Sequence, residues 1–158
     1  MLLHGVNITE VLTAAQLAEK GFTAGVVYSA QDGKIYKLYQ YDTGAGPVAA
    51  VAGNVAYFYA PSGTSAGATT VVTSDLSDSG EVGAGVLQGA PADGEYCWCQ
   101  VAGAATLNTA LTAGADGDPL TPTGSTDGTL DVTAATTDSI CAYALDASAK
   151  IVMCQFPY

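Results

Sequence analysis

The sequence predicts an all-β protein: a small barrel or sandwich, tulip-like in outline, built from tandem hairpins, with an N-terminal arm and one short helix at about residues 13–20. The first ground is a segment written three times, at residues 24–41, 84–101 and, in a shorter form, 142–156. Each copy has an apolar stretch, a turn-like middle and a second stretch ending in Gln and an apolar residue: Gln40-Tyr41, Gln100-Val101, Gln155-Phe156. A recurring unit sets the architecture before any single motif does. The second ground is turn chemistry at close spacing, with 19 Gly and repeated Asp-Gly pairs. The third is composition. Hydrophobic residues make up 49% and charged ones 12%, as expected of short strands with small side chains and many turns.

The elements follow in order. Residues 1–8 read as an arm. Thr13 and Gln16 then form a capping box, with Leu12 and Leu17 as the hydrophobic staple around it. Lys20 suits the negative end of the helix, and Gly21 suits the left-handed residue beyond it. Val26 to Tyr28 lead to the turn Gln31-Asp32-Gly33, and residues 35–41 return as a strand. Residues 43–47 are a loop. Residues 48–60 are expected to hold two strand segments separated by Gly53-Asn54. A Ser/Gly/Thr loop at 61–68, a strand at 69–73 and turn residues at 74–80 come next. The second hairpin occupies 82–101, and residues 102–116 are ambiguous between strand and loop. Gly117-Asp-Pro-Leu-Thr-Pro-Thr-Gly124 resembles the stretch from Gly53 to Gly63, so a larger unit is expected over 24–83 and 84–141. Residues 129–133 read as a strand, and the third hairpin closes the chain. The organisation is an arm at 1–21 and one β domain at 22–158, long enough for a true core.

Four Lys+Arg stand against 15 Asp+Glu, a formal net charge of −11. All four cations are lysines: Lys20, Lys34, Lys37 and Lys150. Nucleic-acid binding needs cations to displace phosphate counterions, so DNA and RNA are excluded as expected partners. An anionic membrane surface is excluded on the same ground. No stretch approaches a membrane span, and no basic region followed by an apolar run marks a secretory leader.

Little in the sequence points to catalysis. His4, the sole histidine, sits in the arm, a poor place for a nucleophile's base. Cys97, Cys99, Cys141 and Cys154 supply four thiols, the number a tetrahedral zinc takes. Cys-x-Cys is not the usual knuckle spacing, however, and reduced cysteine is a common core residue, so buried thiols are the expectation. The carboxylates at Asp116-Gly-Asp118 and at 75–81 lack calcium-loop spacing and read as turn residues. No metal and no cofactor is expected, nor any phosphate-cradling loop or nucleophile elbow. Tyr36, Tyr39, Tyr41, Tyr57 and Tyr59 alternate along strands, as core or contact residues do. Trp98 points away from Cys97 and Cys99. One of those faces is expected to be core and the other a protein contact.

The segments Gly83-Ala-Gly-Val-Leu, Gly94-Glu-Tyr-Cys-Trp-Cys-Gln-Val-Ala-Gly103, Gly117-Asp-Pro-Leu and residues 140–145 together resemble the pattern of tailed-bacteriophage head decoration (cement) proteins. The resemblance covers about residues 22–156 and rests on degenerate motifs. It implies a non-enzymatic virion protein, made in the host cytoplasm, that sits on the outer capsid surface and clamps neighbouring capsomers. It implies the major capsid protein as partner and a homo-oligomer, favouring a trimer. The contact residues expected on this reading are Leu2, Leu3, His4, Val6 and Ile8 in the arm, with Tyr39, Tyr41 and Trp98 on the body. Two other classes stand beside it. A glycan- or host-surface-binding sandwich would expose aromatics around a concave site. A small hydrolase or metal enzyme would gather polar side chains in a pocket.

Overall fold

A computed structural model describes residues 5–60 and 69–158. The fold is all-β: the described residues form eleven strands, one α-helix and one 3-10 turn. The strands are β1 (Val11–Leu12), β2 (Val27–Ser29), β3 (Ile35–Tyr41), β4 (Val55–Tyr59), β5 (Val71–Thr73), β6 (Ser79–Leu87), β7 (Tyr96–Thr106), β8 (Pro119–Thr121), β9 (Asp131–Val132), β10 (Ala142–Asp146) and β11 (Ile151–Gln155). The helix α1 covers Ala14–Glu19. The predicted second segment before Gly53 is not a strand: only β4 forms there, while residues 102–106 extend β7.

All three repeated stretches are antiparallel hairpins: β2–β3, β6–β7 and β10–β11. The order β3–β5–β4–β6–β7 closes into a five-strand barrel because β3 also pairs with β7. Closure removes the free edges that make an open sheet prone to aggregate. The parallel β3–β5 pair is the seam.

The second half repeats much of this scheme with β7 shared. β7–β11 stands where β3–β7 stood, β10–β11 for β6–β7, β8–β10 for β4–β6, and β8–β9 for β4–β5. No pairing of β9 with β7 matches the parallel seam among the described residues. The likeness extends to single bonds. Gly53 N–H donates to the Leu87 carbonyl (2.7 Å) and Leu87 N–H to that of Asn54 (2.9 Å). Gly117 N–H donates to the Ala144 carbonyl (2.8 Å) and Ala144 N–H to that of Asp118 (3.0 Å). Gly53 and Gly117 have φ of +89° and +88°, a region where a side chain is strained, so glycine is favoured at both.

The main core lies inside the barrel and under the third hairpin, and includes Tyr39, Tyr41, Tyr57, Cys97, Cys99, Cys154 and Phe156. A second, smaller core lies outside β3 and β7. There Leu12 and Leu17 cover Tyr36, Leu38 and Trp98, with Val6, Ile8 and Phe22 packed around them. The segment from residue 5 through α1 is thus packed on the body, with β1 paired to β7.

Its local geometry matches the sequence reading. The Thr13 hydroxyl accepts from Gln16 N–H (3.3 Å), and the Gln16 side chain accepts from Thr13 N–H (2.9 Å). At the other end Phe22 N–H bonds the Leu17 carbonyl and Gly21 N–H that of Ala18, both at 3.1 Å. These two bonds make a Schellman stop, with Leu17 and Phe22 in the same apolar cluster.

Candidate interaction surface

The acidic loops come first, because they line a hollow of about 510 Å³ that includes Gly46, Asp75, Ser77, Glu81, Gly124 and Asp127. Their carboxylates hold loops together. Asp75 is 2% exposed. One of its oxygens accepts from Gly46 N–H (2.9 Å), the other from Ser77 N–H (3.0 Å) and Ser77 Oγ (2.6 Å). Asp127 accepts from Leu76 N–H (2.8 Å), and Asp78 from Ala45 N–H (2.6 Å). Burial pushes the Asp75 carboxyl up, but the hydrogen bonds from Ser77, Gly46 and Asp78 outweigh it and hold it below its ordinary value. At the far end Asp116 accepts from Ala147 N–H and Asp118 from Ala115 N–H, each at 2.8 Å. Both acidic stretches therefore act as turn chemistry.

The four cysteines are free and buried in the main core. Burial pushes the Cys154 thiol up to about 12 and raises Cys99 and Cys141 as well. Thiolates are the nucleophiles and the metal ligands, so Cys99, Cys141 and Cys154 are held in their unreactive form. Among the described residues no group of three or more His, Cys, Asp or Glu is arranged to hold a metal.

Three expected contact residues are core residues instead. Tyr39 and Tyr41 are 0% exposed and Trp98 is 1%. The reason is that both faces of the central strands are covered. One faces the barrel interior and the other lies beneath the N-terminal segment, where Trp98 meets Phe22 edge-on at 5.9 Å. The Tyr41 hydroxyl donates to the Val48 carbonyl (2.8 Å), a bond inside its own chain. Val6 and Ile8 are half-buried against the second core. Leu2, Leu3 and His4 lie outside the described residues.

Large apolar side chains are exposed at Val27, Val51 and Tyr158, and three more gather at and just before the third hairpin. Ile140 is 46% exposed, Tyr143 37% and Leu145 46%. Along β10 small and large residues alternate: Ala142 and Ala144 face the core, Tyr143 and Leu145 face out. Tyr143 stands directly opposite Met153 on β11 and Pro119 on β8, so the three side chains share one face of the sheet. Met153 in turn stands opposite Ala104 of β7. This face did have a sequence signal, the Ala-Tyr-Ala-Leu alternation, but nothing local tells which parity turns outward. No protein-family model, curated protein or solved structure matches the chain.

Proposed function

We propose that this chain is a structural, non-enzymatic docking protein, and that its assembly is the outer shell of a tailed-bacteriophage head, where it clamps neighbouring subunits of the major capsid protein. One observation carries the reading: chemistry-bearing side chains are spent on holding the body rigid. The thiols are buried in the core, and Asp75, Asp78, Asp116, Asp118 and Asp127 accept backbone N–H groups. A clamp needs this stiffness, because a partner that must be ordered on binding costs affinity. The motif pattern of the second and third hairpins supplies the choice of assembly. Many copies on one shell compensate for a modest single contact, and a net charge of −11 keeps coated particles apart in solution.

The experiment is reconstitution. Heads assembled without this protein are mixed with the purified chain, and bound copies are counted after sedimentation. Saturable uptake at a fixed number of copies per capsid subunit, with raised resistance of the heads to heat, is the expected result. Heads that take up none of it overturn the assignment to the shell.

A further inference from the structure

We propose that the outer face of β8, β10 and β11 is a docking surface for a protein partner whose own contact patch is apolar at its centre and rimmed by Lys or Arg. This rests on the reading of the chain as a docking protein and identifies the face that does it. The first ground is internal comparison. The two halves share a pairing scheme, and in the first half the outer face of β3 and β7 is sealed by the chain's own N-terminal segment through Leu12 and Leu17. The corresponding face in the second half, on β7 and β11, has no such cover among the described residues, and β10 and β8 continue it sideways. There Tyr143 and Leu145 are exposed and Met153 and Pro119 are only half-buried. The chain leaves on one half the kind of surface it covers on the other. Isolated exposed apolar residues are ordinary, whereas a contiguous cluster marks an interaction site.

The second ground is charge, which selects the partner. Asp146 stands opposite Ile151, which shares the parity of Met153 on that face, and Asp138 lies two residues before Ile140. Asp138 is held below its ordinary value by the N–H groups of Ala135 and Ala134, and Asp146 by Ser148 and Ala149, so both stay ionised. Near them stands Lys150, whose Nζ donates to the Asn108 carbonyl at 2.7 Å. A second copy is a poor occupant. In a two-fold contact each patch meets itself, which would set this acidic rim against its own image, with four lysines in the whole chain to offset it. A basic rim matches the charge and speeds encounter.

The test uses the full chain, isotope-labelled, titrated with a synthetic helical peptide bearing leucines on one face and lysines along its borders. Amide shifts are expected to concentrate at Leu120, Tyr143, Leu145 and Met153. The double variant Tyr143→Ser/Leu145→Ser should bind at least tenfold more weakly, and raising salt should weaken the wild type. Both changes are at solvent-facing positions, and an unchanged spectrum elsewhere verifies the fold. A footprint elsewhere, or equal affinity of the variant, overturns the proposal. Self-association in sedimentation velocity that the double variant abolishes overturns the assignment of a basic partner. Heads provide the separating arm. If wild type and variant coat heads equally, the face is wrong and the function stands. If wild type ignores heads while the peptide maps to this face, the function fails and the face stands.

Discussion

Gly83→Ala tests how the third hairpin is locked onto the first barrel. Gly83 lies in β6, and its φ is outside the positive region, so an added methyl group meets no backbone strain. It meets side chains instead. A Cβ there would sit 2.6 Å from Phe156 Cε1, 2.7 Å from Cδ1 and 3.0 Å from Cys141 Sγ. Carbon atoms pack best at roughly 3.5–4.0 Å, so the Phe156 ring must retreat by about 1 Å within a full core. Overpacking of this size costs roughly 1–3 kcal/mol. The relief is equally specific. Phe156→Leu removes the clashing ring edge, at a cost of its own of roughly 1–2 kcal/mol. In the double variant the methyl fills the space the ring left, and the two costs should fall short of their sum by about 1–2 kcal/mol. Urea unfolding followed by the fluorescence of Trp98, the sole and buried tryptophan, gives all four corners of the cycle. Gly117→Ala is the control: nothing stands within 4 Å of its added carbon, but φ is +88°. It should cost roughly 1–2 kcal/mol through the backbone, and Phe156→Leu should not rescue it. A Gly83→Ala variant within about 0.5 kcal/mol of wild type, or strict additivity with Phe156→Leu, refutes the packing argument.

Other outcomes follow from the same geometry. The Tyr39 hydroxyl is buried without a hydrogen-bond partner among the described residues, whereas that of Tyr41 bonds Val48; urea titrations should show Tyr39→Phe neutral or stabilising and Tyr41→Phe destabilising by about 1 kcal/mol. Leu12→Ala should cost roughly 2–5 kcal/mol, because Leu12 is 0% exposed beneath the second core. It should also red-shift Trp98 emission as the N-terminal segment loosens. Deleting residues 1–21 should likewise lower stability, contrary to the behaviour of an independent arm. A thiol reagent at pH 8 should label none of the four cysteines until denaturant is added, since all four are buried out of its reach and burial raises Cys99, Cys141 and Cys154; rapid native labelling would place one at the surface. Asp75 is held below its ordinary value in the fold, so its contribution is complete above the unfolded value of about 3.9 and is lost as pH falls through the lower folded one. Asp75→Asn should therefore trail wild type at pH 7, and the gap in urea midpoint should narrow at pH 3; a gap independent of pH would show that the charge is not what Asn removes.

The sequence by itself determined what is local. The capping box of Thr13 and Gln16, the stop at Gly21 and the Asp32-Gly33 turn all follow from bonds spanning a few residues, and each could be placed before any strand was paired. The three hairpins were legible for the same reason, since an apolar run, a turn and a second run lie side by side in the chain. The similarity of Gly53-Asn54 to Gly117-Asp118 was visible too, because a positive φ leaves glycine as its trace. Tertiary structure decided the rest. Alternation shows that Trp98 and Cys99 lie on opposite faces of β7, but it says nothing about what covers each face. Leu12 and Leu17, some 80 residues away in sequence, turn the Trp98 face into core, and the closing pair of β3 and β7 does the same for Tyr39. On β10, where none of the described residues supplies such cover, the same alternation leaves Tyr143 and Leu145 exposed. Burial is a property of pairs of surfaces, and a single strand carries only one of them.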